Sequence, residues 1–401
     1  MRPPRLIFAR FLTVYALLYA AFGVQSPFLP ALLEERGLRP DEIGLVMAAS
    51  TAIRVLAGPA VAHAADRWRR HGWSLCACAI AAAIAGVGYL TISGFRGLLT
   101  IALMQAVALA PIVPVSDALA TTAAQQSEVT RDRFDYGWLR AGGSAAFISG
   151  TFLSGWAASQ AGLGSIVWVS GVFLLIGGGT ALLLPGLGGA GHVGSAFRTP
   201  TLRDCALLLR LAPFRRILFI AALIEGSHAL NDNFSVIYWR SAGISLGTVS
   251  FLWSESVMAE VLVFSLIGPG LIRRIGAGSG CGMAAAAGAV RWSILVCTTS
   301  PLLLAVAQPL HGLTFALLHL ASMRVIVLVV PVRLAATAQS VYGTFCVGLA
   351  TALLTLVSGL LYQQIGGRAF LVMAALCLVA LPMCTGLRAS RMEESQAGRG
   401  A

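Results

Sequence analysis

Glu225, His228 and Asp232 stand inside a run, residues 215–238, that is otherwise apolar enough to cross a bilayer. At about 100° per residue they fall on one helix face, leaving Ile220, Leu223 and Ile237 to the apolar remainder. A charge near the bilayer centre costs roughly 2.5–3.5 kcal/mol even on a lenient insertion scale, so such residues face a bundle interior or a wet cavity. Two carboxylates and an imidazole in that setting can take up and release protons, because burial and a bound neighbour both move their proton affinity. The plainer alternative is an interhelical polar clamp.

The elements that must hold such a face follow from composition. Of 401 residues 57% are hydrophobic and 11% charged, and the mean hydropathy is +0.82. That balance excludes an ordinary soluble domain and implies an all-α, polytopic membrane protein. At about 20 residues per crossing, twelve spans are expected near 8–30, 43–64, 73–94, 98–120, 138–160, 165–185, 215–238, 248–270, 279–299, 302–322, 338–361 and 368–387. All 28 basic residues are arginine, and 20 of them fall in alternate connecting segments while five fall in the intervening ones. The +12 charge therefore reads as membrane orientation, with both termini cytoplasmic, and excludes a nucleic-acid partner. Most of the eight cysteines sit in apolar runs and read as small buried hydrophobes. The apolar run after Arg5 lacks a cleavage pattern and reads as a retained first span.

The longest polar interval, Gly186 to Pro213, is rich in glycine and arginine and divides the spans into two sets of six. The expected layout is a six-helix bundle over 1–186, a basic cytoplasmic linker over 187–213, a second bundle over 214–388 and a polar cytoplasmic tail over 389–401. A basic turn follows the second span of each half, at Asp66-Arg67-Trp68-Arg69-Arg70 and at Arg273-Arg274, as in parallel repeats whose interface carries a midplane site. Pro27, Pro30, Pro111 and Pro114 bend the first and fourth spans, while Gly142, Gly143 and Ser144 permit close helix approach in the fifth.

This layout resembles the major facilitator superfamily, and the turn after the second span is similar to its loop motif Gly-x-Leu-x-Asp-Arg-x-Gly-Arg at Asp66, Arg67 and Arg70. Longer blocks resemble the phenylpropionate transporter subfamily, near the lactose permease and nucleoside-proton symporter group. They are Tyr136-Gly-Trp-Leu-Arg140-Ala-Gly-Gly-Ser144, Ser227-His-Ala with Ile237-Tyr-Trp239, Leu252-Trp253 with Ala259-Glu260, Val290-Arg-Trp292, and Gln308-x-Leu-His311-x-x-Thr-Phe315 with His319. The resemblance implies two six-helix pseudo-repeats, a conformational loop at Asp66, Arg67 and Arg70, and substrate groups at Asp117, Arg140, His228, Arg291 and His311, beside which Asn231, a departure from the subfamily pattern, is expected to bind substrate too. It also implies a proton-coupling acid at Glu260, beside which Glu225, Asp232 and Glu255 are this chain's own additions to the subfamily pattern. Glu260 or Asp232 is expected to carry the proton. Thr314 stands where lactose permease has a glutamate.

The expected activity is secondary active transport by alternating access. The reading is proton-coupled uptake of a small polar organic solute, such as an aromatic acid, sugar or nucleoside, through the inner membrane of a bacterium. Proton-coupled export of a metabolite or drug is the alternative, and an assembly factor on the same fold a distant third. No metal triad, nucleotide loop or nucleophile elbow occurs in the sequence, so the chain reads as a transporter and not an enzyme. The expected partners are the solute, protons and the lipid bilayer. No cofactor is expected, since a proton gradient supplies the energy, and the working unit is expected to be a monomer.

Overall fold

The computed structural model describes residues 4–68, 70–130, 136–184 and 201–387, and among these every regular element is helical. The chain forms two compact units. The first comprises Met1–Ala196 with Gly243–Ser254, and the second Phe197–Ala242 with Glu255–Ala401.

The first unit contains α1 (Pro4–Gln25), α3 (Pro40–Trp68), α4 (His71–Thr91), α5 (Phe95–Leu109), α6 (Ile112–Thr130), α7 (Tyr136–Ala161) and α8 (Ser165–Ala181), with a seven-residue α2 (Leu29–Glu35) after α1. Phe11, Val14 and Leu18 of α1 meet Leu75 and Ala79 of α4 and Leu174 of α8 in the core. The α1–α7 contact is close enough that a Cβ built on Gly150 would lie 2.4 Å from the Ala20 carbonyl oxygen. Thr151 and Ser154 donate across it to the carbonyls of Gly23 (3.1 Å) and Val24 (2.7 Å). Small residues and hydroxyls thus do between these helices what apolar burial cannot do in lipid. The fourth span is broken at Ala110-Pro111, where the prolines lie.

The second unit runs through α9 (Leu202–Arg210), α10 (Ala212–Gly226), α11 (His228–Ser241), α12 (Leu246–Leu262, whose part up to Ser254 belongs to the first unit), α13 (Gly268–Ile275), α14 (Ala277–Cys297), α15 (Pro301–Ala307), α16 (Leu318–Val329), α17 (Ala335–Tyr342), α18 (Thr351–Ile365) and α19 (Phe370–Met383). α9 lies within the interval read from sequence as a linker, and Thr201 caps it by accepting from the Asp204 amide at 3.1 Å. The glycine-rich part of that interval, residues 185–200, and the tail from 388 onward lie outside the described residues. Wide π-type turns interrupt the helices at Val263–Ile267, Gly312–Leu317 and Gly343–Ala350. Ile217, Ile220 and Ile224 of α10 pack with Cys281, Ala284 and Ala285 of α14 and with Leu318 and Ala321 of α16.

Among the described residues, seven stretches are long and apolar enough to cross a membrane, from Leu6–Gln25 to the 56-residue Val332–Leu387, which is interrupted at Gly366. α8 is apolar but shorter, α3 and α7 have the length but fall outside that set, and α10–α11 is divided at Ser227. Large apolar side chains such as Leu56, Leu266, Leu302 and Val327 remain exposed on the outer surfaces, as a lipid solvent requires. Five of the eight cysteines are buried, as small hydrophobes would be. His71, by contrast with a solvated turn residue, is buried at the start of α4.

Candidate functional site

Each unit carries a cluster of charged and polar side chains among its helices. In the second unit the cluster starts at the division between α10 and α11. The continuous helix face expected over 225–232 is interrupted, since α10 ends at Gly226 and α11 begins at His228. Side chains satisfy the carbonyls that the break frees. The His228 Nδ1 donates to the carbonyls of Ile224 (3.0 Å) and Glu225 (3.2 Å), and Ser227 Oγ donates to Ile224 at 2.6 Å. Trp292 Nε1 in turn donates to Ser227 Oγ at 2.9 Å.

These bonds fix a tautomer. With its proton on Nδ1, neutral His228 presents the Nε2 lone pair to the Thr314 hydroxyl at 2.9 Å. Thr314 Oγ1 is also 3.2 Å from the His311 carbonyl, so its one proton serves either His228 or that carbonyl. His311 is fixed the other way. Arg291 can only donate, and its Nη1 lies 3.1 Å from His311 Nδ1, so the His311 proton sits on Nε2, which faces Glu260 Oε2 at 3.5 Å. The two imidazole rings are 5.2 Å apart, and Phe315 stacks on His311 at 5.5 Å.

Arg291 is fully buried, its Nη2 donates to Gln308 Oε1 at 2.8 Å, and the guanidinium lies 4.5 Å from the centre of the Trp292 ring. Among the described residues no carboxylate comes within 4.0 Å of it, and its Nε has no hydrogen-bond partner. Asp232 is the acid whose charge reaches it over a longer distance. Asn231 Nδ2 donates to Asp232 Oδ1 at 3.2 Å, while the buried Asn231 Oδ1 has no partner. Glu225 is buried and lies within electrostatic range of Glu260 and Asp232. Glu255 is half-buried, and its Oε2 has no partner. Backbone proximity sets the spacing of the pair that matters most. A Cβ built on Gly312 would fall 2.6 Å from the Ala259 carbonyl oxygen, so glycine there lets the turn bearing His311 approach the helix bearing Glu260.

In the first unit, Tyr15 and Tyr19 are one helical turn apart on α1 with rings stacked at 5.6 Å. Tyr15 donates to Asp117 Oδ1 at 2.5 Å, and Arg140 Nη1 stands 3.4 Å from both Asp117 oxygens while donating to the Tyr19 hydroxyl. The Arg140 guanidinium also lies 5.5 Å from the Tyr19 ring centre. Both members of the ion pair stay accessible, with 44% of the Arg140 side chain and 30% of that of Asp117 exposed. An open ion pair flanked by phenols can grip hydroxyls or a carboxylate.

The fold thus brings His228, Arg291, His311 and Glu260 together directly, with Asn231, Asp232 and Glu225 close by, and pairs Asp117 with Arg140. Arg67 and Arg70 are exposed at the turn after α3, and the Asp66 side chain lies outside the described residues. Sequence reasoning gave no role to Tyr15, Tyr19, Gln308 or Ser227. Helical spacing could have pointed to three of them, since Gln308 and Thr314 flank His311 at three residues on either side, and Tyr15 and Tyr19 are four apart.

Comparisons with known proteins agree in class. The model of the MFS_1 like family matches residues 8–373. A protein of Escherichia coli (strain K12) described as a "Probable 3-phenylpropionic acid transporter" is 32% identical over 374 residues, which cover 92% of this chain and 94% of that one. Among solved structures, the nucleoside transporter NupG superposes with a TM-score of 0.80 at 16% identity, covering 95% of this chain and 98% of that one. The human organic anion transporter MFSD10 superposes with a TM-score of 0.61 at 17% identity, covering 96% of this chain and all of the other.

Proposed function

The chain belongs to the MFS_1 like family of membrane transporters, and on that premise we propose that it takes up a small organic acid together with protons. The observation that carries this reading is Arg291, a fully buried guanidinium with no described carboxylate within 4.0 Å, bonded to an imidazole that faces Glu260. A guanidinium in that position suits a carboxylate-bearing solute, and the imidazole–carboxylate pair beside it suits a transferable proton. Asp117 and Arg140 serve as the polar grip of the first unit, and Glu225, Asp232 and Asn231 tune the site in the second.

In this proposal twelve helices form two six-helix bundles, residues 1–186 and 214–388, with both termini cytoplasmic in a bacterial inner membrane. Protonation of Glu260 or Asp232 admits the solute from outside, the bundles rock about the central site, and inward release discharges the proton. Asp66, Arg67 and Arg70 form the loop that biases this rocking. The unit is a monomer. Each proton crossing 100 mV gains about 2.3 kcal/mol, so every proton taken up beyond the one that balances the solute's carboxylate adds a concentrating power of tens of times.

Proteoliposomes test it. An acidic exterior should drive accumulation of 3-phenylpropionate and not of a sugar or nucleoside from the same panel, and an uncoupler should abolish it. Accumulation that survives the uncoupler would sink proton coupling. One observation favours a second reading: three acids, Glu225, Asp232 and Glu260, lie within electrostatic range of one another, with Arg291 the cation that Asp232 reaches. That surplus suits proton-driven export of a cationic metabolite or drug, which the same vesicles would report as uptake of a cationic amine driven by an acidic interior.

A further inference from the structure

In the second unit a cavity of about 1040 Å³ lies where the last turn of α13 and the C-terminal half of α16 meet the start of α14. Two arginines line it, Arg273 and Arg324, and no acidic residue does. Neither guanidinium makes a hydrogen bond or ion pair among the described residues, and both are exposed. Two like charges around one cavity repel unless an anion lies between them. The cavity supplies further donors. Gly276, at φ +80°, starts α14 without a side-chain cap, so the amides of Ala277, Gly278 and Ser279 have no acceptor inside the helix and all three residues line the space.

The rest of the lining is hydrocarbon. Ile272, Leu320, Val327 and Leu328 wall the cavity, and Val327 and Leu328 are 68% and 49% exposed on the outer apolar surface of α16. A small inorganic anion would leave most of that wall unfilled. An amphiphile would match both parts, with its charged group between the arginines and its chain along α16.

We propose that this cavity is a binding site for an anionic phospholipid, whose phosphate lies between Arg273 and Arg324 at the start of α14 and whose acyl chain runs over Val327 and Leu328. The site is separate from the transport cluster, so it stands whichever solute is carried.

Native mass spectrometry of the purified full-length protein, titrated with phosphatidylglycerol and with phosphatidylcholine of the same chains, tests it. Phosphatidylglycerol should bind roughly tenfold more tightly, and the double variant R273Q/R324Q should lose that preference, while R96Q, at an arginine distant in sequence, keeps it. Inorganic phosphate at millimolar concentration should not displace the lipid. Equal binding of the two lipids, a double variant with unchanged preference, or displacement by phosphate alone would each overturn the proposal. A melting curve in phosphatidylcholine nanodiscs guards against misfolding: the double variant should melt with the unsubstituted protein there and fail to gain stability when phosphatidylglycerol is added. Should it melt lower, R273K/R324K takes its place, and because charge is kept it should retain the preference; loss of the preference in that variant also overturns the proposal.

Discussion

The two polar clusters are built on different principles. In the first unit one acid meets one base, and two phenols close the pair, so Asp117 and Arg140 have partners that hardly change with pH near neutrality. In the second unit Glu225, Asp232 and Glu260 lie within electrostatic range of one another, Asp232 also reaches Arg291, and His228 and His311 are each pinned in a single tautomer by a neighbour that cannot itself change. The first arrangement is suited to holding and the second to exchanging protons.

Substitution should separate the two. The largest effect is expected at Arg291. R291K keeps the charge but loses the fork that joins Gln308 and His311, and accumulation in proteoliposomes should fall roughly 100-fold, with size-exclusion behaviour unchanged. Next, E260Q should abolish accumulation driven by a pH gradient while leaving exchange of labelled for unlabelled solute. Equal loss of both would assign Glu260 to binding instead of coupling. In the first unit, D117N or R140K should raise the apparent KM by roughly tenfold and leave the solute-to-proton ratio intact, a difference of about 1.4 kcal/mol. A changed ratio would erase the contrast between the units.

Smaller effects probe packing. T314V leaves the buried Nε2 of His228 without a donor and should cost about 1–3 kcal/mol, read as a lowered melting temperature in detergent. Y15F removes a single bond to Asp117 and should cost about 1 kcal/mol by the same measurement.

Much of the scaffold was legible because lipid imposes simple rules on long segments. The third apolar run, expected near 73–94, forms α4 over His71–Thr91, and the prolines at 111 and 114 mark the break before α6. Asp117 and Arg140 were legible only through the family resemblance, and in the structure they form an ion pair 3.4 Å apart. The break at Ser227 was not legible. Its stability comes from the His228 ring and from Trp292, which is 65 residues away, and no local propensity announces a tertiary bond. The meeting of His228 with Thr314, 86 residues apart, is hidden for the same reason. The wide turn at Gly312–Leu317 also shifts which residues share a face, so counting in steps of 3.6 misplaces side chains beyond it.

The break at Ser227 also bears on how the protein is made. α10 has 15 residues and α11 has 14, so at about 1.5 Å per residue each is roughly 22 Å long, short of the roughly 30 Å hydrocarbon core. The outside groups that donate to the Ser227 hydroxyl, the indole of Trp292 and the thiol of Cys377 at 3.4 Å, belong to α14 and α19, which leave the ribosome later. Newly synthesised α10–α11 therefore carries its own bonds from Ser227 and His228 to the freed carbonyls, and the hydroxyl gains its outside donors only once those later helices have followed.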